Sequence, residues 1–266
     1  MHFTVIGGLL AGDLSLTIDG ELPVSVEKYV DNKKRAAVIG VPHVEADCLR
    51  GRKVALVAGG PSIKDRVETL KAWDGEVWAV NGAYRWCMDR GIEATLLAID
   101  PHPIVLKWAK GAHRAILGDT CDPDVFDLLK GADVRQIRIA ADSPIKGTSS
   151  TATLVPFLAL YVRASGVTFF GCESSYVGDS HAYMDEDRDD QLVISVGFDD
   201  FLTFSDFFIQ ARELSAMIRA LDGYLEEESG GLLGALVKNP VYRIKWVNED
   251  YARRMRSARP TAQAAD

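Results

Sequence analysis

Val54-Ala-Leu-Val-Ala-Gly-Gly-Pro-Ser62 decides how the chain is read. Residues 54–58 form a short continuous apolar run, the composition of a strand buried on both faces of a parallel sheet. Gly59, Gly60, Pro61 and Ser62 follow at once, and the polar segment 64–71 suits a helix. A strand, a glycine turn and a helix start make an anion site. Glycines let main-chain N–H groups approach a phosphate, and the free N–H groups of a first helical turn point at it. Pro61 is at home there, because a first-turn N–H has no helical partner. The same residues also suit a strand-to-helix turn with no ligand, so the weight falls on the motifs downstream.

From residue 52 onward strands and helices alternate at roughly 20-residue spacing, as in successive βαβ units. The apolar pattern predicts strands over 76–80, 95–99, 114–117, 135–140 and 167–170. It predicts helices to about Trp73 and over 83–90, 103–110, 123–130 (with Asp122 as N-cap) and 152–164. The fold class is therefore α/β: a Rossmann-like, doubly wound, mostly parallel sheet with a small N-terminal cap and a helical C-terminal extension. Residues 1–50 are read as the cap, 51–203 as the nucleotide-binding domain, 204–252 as the extension and 253–266 as a frayed tail. In the cap, 14–18 alternates and ends at Asp19-Gly20, a hairpin dipeptide. A helix over 24–37 carries Lys28, Lys33, Lys34 and Arg35, a cluster read as a solvated face. Residues 172–190 read as an acidic loop and 191–196 as a strand. Ser205 is expected to cap a helix whose apolar residues Phe208, Ala211, Leu214, Ile218 and Leu221 fall three and four apart.

Bulk composition narrows the class of partner. The 266 residues are 47% hydrophobic and 26% charged, enough for one large α/β domain. Acidic residues (38) exceed basic ones (30), a net charge of −8 that argues against non-specific nucleic-acid binding. Cys48, Cys87, Cys121 and Cys172 form no CxxC pair, which points to a reducing, intracellular setting. The start lacks a signal pattern, and no apolar run approaches the roughly 20 residues of a membrane span. A cytoplasmic protein is the expectation, and a homo-oligomer is compatible with it.

In an open α/β sheet, ligands sit beyond the carboxyl ends of the strands. Four polar features fall there: Gly59 to Ser62, Asn81-Gly82, Asp100-Pro101, and Gly171 with its following loop. Asn81 can hold a base, ribose or phosphate, though Asn-Gly is also the composition of a positive-φ turn. Asp100 can bind a ribose hydroxyl or help hold Mg²⁺, or it can cap the helix after Pro101. Gly147, Thr148, Ser149 and Ser150 make a second phosphate cradle before an apolar helix, with Lys146 as a point charge beside it. Helix capping is the plainer use of the same hydroxyls. In the loop beyond Gly171, His181 can act as a base near neutral pH. Glu173 and Asp179 can serve as metal or hydroxyl partners.

The ordered set GGPS, AVNGA, AID-P, KGTSS and G-C-E-(x)₇-H-A resembles the 6-hydroxymethylpterin diphosphokinase MptE-like proteins. This is a Rossmann-like group also found in flagellar motility accessory factors and in phage genomes. The resemblance covers about 51–183. It implies that Gly59, Gly60, Ser62, Asn81, Asp100, Thr148, Ser149, Glu173 and His181 surround a nucleotide and its acceptor. Glu173 stands where members more often have Asp. The implied activity is ATP- and Mg²⁺-dependent pyrophosphate transfer: an acceptor hydroxyl attacks the β-phosphorus and AMP leaves. His181 guides the proton, Asp100 and Glu173 hold the metal, and Lys146 offsets charge. The same motifs are similar to bacterial sialyltransferases that use a CMP-sugar, so a glycosyltransferase with a small-molecule or sugar acceptor is the alternative. A non-catalytic nucleotide-binding protein is the third reading.

Overall fold

The structure, a computed structural model, describes residues 24–140, 143, 145, 149–175 and 191–247. Seven strands form one sheet in the order β5-β4-β3-β2-β1-β6-β9, and every neighbouring pair is parallel. They are β1 (Lys53–Val57), β2 (Gly75–Val80), β3 (Thr95–Ala98), β4 (Arg114–Gly118), β5 (Asp133–Ile137), β6 (Gly166–Phe170) and β9 (Leu225–Glu227). A second sheet is antiparallel, with β7 (Gln191–Val196) between β8 (Asp199–Phe204) and β10 (Tyr242–Trp246).

The apolar run of β1 is continuous because both of its faces are covered. Ala55 and Val57 join a core on one face, with residues of α3 (Ala83–Met88), α4 (Val105–Ala109) and α5 (Pro123–Leu128). Val54 and Leu56 join the core on the other, with α6 (Thr151–Tyr161), α7 (Ser205–Ala220) and α8 (Gly231–Lys238). Each fully buried Val or Leu contributes about 1.5–3 kcal/mol. The helices that follow β2, β3 and β4 thus lie on one face, and α6, which follows β5, lies on the other. The chain steps outward from β1 to β5, then returns to place β6 on the other side of β1. That reversal falls between β1 and β6, and open α/β sheets place ligands beyond the carboxyl ends of the strands at such a point.

Several segments differ from the sequence reading. The segment after GGPS begins as a 3₁₀ turn, Pro61–Arg66, and becomes α-helical only over α2 (Val67–Lys71). Within the segment read as a helical extension, β9 completes the main sheet and β10 pairs with β7. The second sheet packs Leu192, Ile194 and Val196 on Phe208, Ala211, Leu232 and Leu236, so α7 serves two cores at once. The N-cap of α7 is Phe204, not Ser205, and makes no side-chain cap. Residues 1–23 and 248–266, with the hairpin and tail read there, lie outside the described residues.

Helix α1 (Val26–Ile39) spans the loops that leave β3, β4 and β5. Asn32 is fully buried, and its Nδ2 donates to the carbonyls of Pro101 (3.3 Å) and Thr120 (3.0 Å). Lys33 Nζ donates to Ile139 O at 2.5 Å and pairs with Asp119. Lys28 and Arg35 pair with Asp122 and Asp124. Three members of the basic cluster are therefore docking contacts rather than a solvated face, and they cover the carboxyl edge on the β3–β5 side.

Asp122 also caps α5, accepting from Asp124 N. Burial disfavours its charge, but the Lys28 hydrogen bond and the Asp124 N–H outweigh it and hold its pKa below the usual value. A carboxyl lowered on folding stabilises fully above its unfolded pKa of about 3.9 and loses that contribution as pH falls through the folded value. Asp122→Asn is expected to lower unfolding free energy by about 1 kcal/mol at pH 7. The deficit should shrink toward zero below about pH 4, as read by urea titration at several pH values.

Candidate functional site

The pairing of β1 with β6 runs on into the turns. Ala58 N donates to Phe170 O and Gly60 N to Gly171 O, both at 2.8 Å. This brings the GGPS turn against the loop that leaves β6. Gly171 (φ 69°) starts that loop, and Ser174 holds a left-handed φ of 54°. Between them Glu173 turns back, so that its Oε1 accepts from Ser62 N at 2.6 Å. Its side chain lies over Gly60: a Cβ there would be 1.6 Å from Glu173 Oε2. Gly60 is thus required for close approach, but what approaches is a carboxylate of the chain itself. Where the sequence leads us to expect an open phosphate cradle, the turn holds the Glu173 side chain of the same chain.

Three elements from beyond β6 hold this loop. Leu233 N of α8 donates to Glu173 O (3.0 Å), and Leu232 N to Ser175 Oγ (3.1 Å). Thr203 of β8 donates to Ser174 O (2.6 Å), and Gln210 of α7 to Ser174 Oγ (3.0 Å). Ser229 accepts from Cys172 N and donates to Phe169 O. Gly231 (φ 58°) lies so close that a Cβ would meet Glu173 Cβ and Ser175 Oγ, each at 2.7 Å.

Glu173 is 2% exposed, yet its Oε2 has no hydrogen-bond partner; the same holds for the buried Ser62 Oγ and Asn81 Oδ1. A buried polar atom left unpaired costs about 1–3 kcal/mol. Asn81 follows β2, and the register Val57↔Ala79, extended by two residues, sets it level with Gly59. Its φ of 51° shows that it also serves as the positive-φ turn residue. Gly82 leads into α3 against Trp108.

Asp100 does not join Glu173. Its Oδ1 accepts from His102 N at 2.9 Å, closing a local turn rather than capping α4, whose N-cap is Ile104. Burial raises its pKa, opposed by that N–H and by His102. Three strand spacings separate β3 from β6, or about 14 Å at ~4.8 Å each. One ion shared by Asp100 and Glu173 is therefore not what this topology provides. Among the described residues no three His, Cys, Asp or Glu side chains cluster as metal ligands.

Of the second cradle, Ser149 and Ser150 are described, and both hydroxyls have partners within the chain. Ser150 caps α6 in a capping box with Thr153, so its hydroxyl serves the helix. Ser149 Oγ donates to Glu213 Oε2 of α7 at 2.6 Å, which commits its proton to a carboxylate. Lys146, Gly147, Thr148, Asp179 and His181 lie outside the described residues. Cys172 is buried, and burial followed by the charges of Glu173 and Glu227 pushes its thiol well up, so it is no thiolate nucleophile.

Gln210, Glu213 and Ser229 do not stand out in the sequence. Gln210 and Glu213 lie three apart on α7, beside its apolar stripe, and that spacing is the one signal that could have found them. No family model, curated protein or solved structure matches the chain.

A cleft of ≈ 220 Å³ lies at the opposite edge, where β2–β5 begin, lined by Glu76, Thr95, Arg114 and Asp133 among others. Its buried Glu76 is already paired by Arg52 (2.6 Å) and Arg114 (3.6 Å).

Proposed function

We propose that the chain is a nucleotide-dependent transferase whose donor binds in the crevice between β1 and β6. The observation that carries this reading is the pair of unpaired buried oxygens at the turn, Glu173 Oε2 and Ser62 Oγ, with Asn81 Oδ1 unpaired at the end of the neighbouring strand β2. A ligand that completes such atoms is one physical reason for keeping them; Asn32 Oδ1, Trp73 Nε1 and Tyr224 OH are also unpaired, but only Glu173 and Ser62 meet in one turn. The preferred activity is ATP- and Mg²⁺-dependent pyrophosphate transfer to an acceptor hydroxyl, in line with the motif resemblance. Hard oxygen donors suit Mg²⁺. Glu173 would hold it, with Ser62 supplying a neutral oxygen, and Asp100 and Asn81 are left out of its ligand set. The cation would neutralise charge on the phosphates. The chain's own part is positioning: Asn81 and Ser62 orient the donor, and His181 and Lys146 are proposed for the proton and the developing charge.

A CMP-sugar glycosyltransferase is the second reading. A ribose or sugar hydroxyl donating to Glu173 Oε2 or Asn81 Oδ1 would satisfy the same acceptors without metal.

A thermal-shift series with ATP, GTP, CTP, CMP and UDP, with and without Mg²⁺, tests both. ATP with Mg²⁺ at about a hundredfold over Kd is expected to raise Tm by roughly 5 °C, and EDTA to abolish the shift and any turnover. A CMP or CTP shift indifferent to EDTA selects the glycosyltransferase. Binding without turnover, unchanged in His181→Ala, selects a non-catalytic nucleotide-binding protein. No shift with any nucleotide removes all of these readings.

A further inference from the structure

We propose that the Glu173 carboxylate is the resident anion of the GGPS turn, and that a phosphate group reaches the turn only by exchange with it. The inference rests on the reading that the crevice receives a phosphate-bearing donor, and it adds how entry is controlled. Ser62 N, the main-chain donor the turn offers at its centre, is spent on Glu173 Oε1 at 2.6 Å. The space above Gly60, where a phosphate oxygen would approach the glycine, holds Glu173 Oε2. A phosphate and this carboxylate cannot occupy the turn together, because both need the same N–H and the same volume, and two anions there repel.

The seated state is not fully satisfied, which makes exchange feasible. Glu173 makes one charge-assisted hydrogen bond through Oε1, while Oε2 is buried and unpaired. A phosphate brings more acceptor oxygens, and Ser62 Oγ beside it is buried and unpartnered. Departure of Glu173 costs one such bond and returns a carboxylate to solvent with both oxygens free. The backbone of the loop need not move with it, because Leu233 N, Thr203 and Gln210 grip main-chain or neighbouring atoms and not the Glu173 carboxylate. Glu173 thus sets a threshold: a ligand with a single weak acceptor does not displace it, whereas a di- or triphosphate does.

The test uses the full chain in metal-free buffer with inorganic pyrophosphate as probe, followed by isothermal titration calorimetry. Wild type should bind weakly. Glu173→Ala should bind about tenfold or more tighter, because the competing charge-assisted bond is gone. Glu173→Gln keeps the shape and removes the charge, so it should fall between them; it carries the test if Glu173→Ala does not fold. Equal affinity for wild type and both variants overturns the exchange, as does failure of all three to bind. A gain in the variants with no nucleotide shift in wild type upholds the exchange and removes the nucleotide reading. A nucleotide shift in wild type with no gain in the variants overturns the exchange alone.

Discussion

Gly171→Ala is expected to lower unfolding free energy by about 3 kcal/mol or more. Gly171 has φ 69°, which disfavours any side chain, and a Cβ would sit 2.4 Å from Ile63 Cγ2 and 2.5 Å from Ala58 O. The second contact is with main chain in the β1–β6 ladder and cannot rotate away. Relief requires β1 and β6 to part where Gly60 N meets Gly171 O, which also unseats Glu173. Gly91 is the matched control: its φ is 70°, but nothing lies within 4 Å of the place its methyl would take. Gly91→Ala should cost only about 1 kcal/mol, the left-handed penalty alone. Urea midpoints compare the two directly. Equal losses would mean that the chains do not approach closely at the crevice.

The second large effect is at Asn32. Asn32→Asp preserves shape but turns a donor into an acceptor facing the carbonyl oxygens of Pro101 and Thr120 in a fully buried position. At pH 7 this should cost about 3 kcal/mol or more, since a buried charge gains no donor there. The direction with pH follows from burial. The new carboxyl is raised above its unfolded pKa of about 3.9, so the variant recovers stability as pH falls through the raised value. Asn32→Ala, with no charge, should show a smaller loss of about 2 kcal/mol and no such recovery. Chemical denaturation between pH 4 and pH 8 separates the two. If Asn32→Asp is neutral at pH 7, α1 does not dock through this side chain.

The central strands were legible because parallel strands covered on both faces read as apolar runs (Val-Ala-Leu-Val in β1, Val-Trp-Ala-Val in β2) and the turns after them carry Gly or Asn, whereas the edge strand β5 is Asp-Val-Arg-Gln-Ile and carries no such run. By contrast β9 is three residues, Leu-Glu-Glu, too short for any period; what fixes it is pairing with β6, including Thr168 Oγ1 donating to Glu226 at 3.0 Å. The strand β8 opens on two aspartates and owes its place to the hairpin at Gly197-Phe198, where the glycine is the only local signal. The strand-end residues mark the turns that β1 and β6 bring together, but the contact that fills the GGPS turn was not legible. Nothing local to Glu173 says that its carboxylate closes on Ser62, more than a hundred positions earlier. The same holds for Lys28 and Lys33, whose acidic partners lie beyond β4. Charge runs show composition, and only the fold shows which opposite charges they meet.

The late arrival of β9 has a consequence for synthesis. Among the described residues β6 has β1 on one side and β9 on the other. A nascent chain therefore presents Val167 to Phe169 as an open apolar edge while residues 171–224 are being translated. At ~5–20 residues per second that interval lasts several seconds, long enough for edge-to-edge mispairing with another emerging chain. Elongation pace over that stretch, rather than the equilibrium strength of the finished sheet, then governs how much of the product the ribosome delivers free of aggregate.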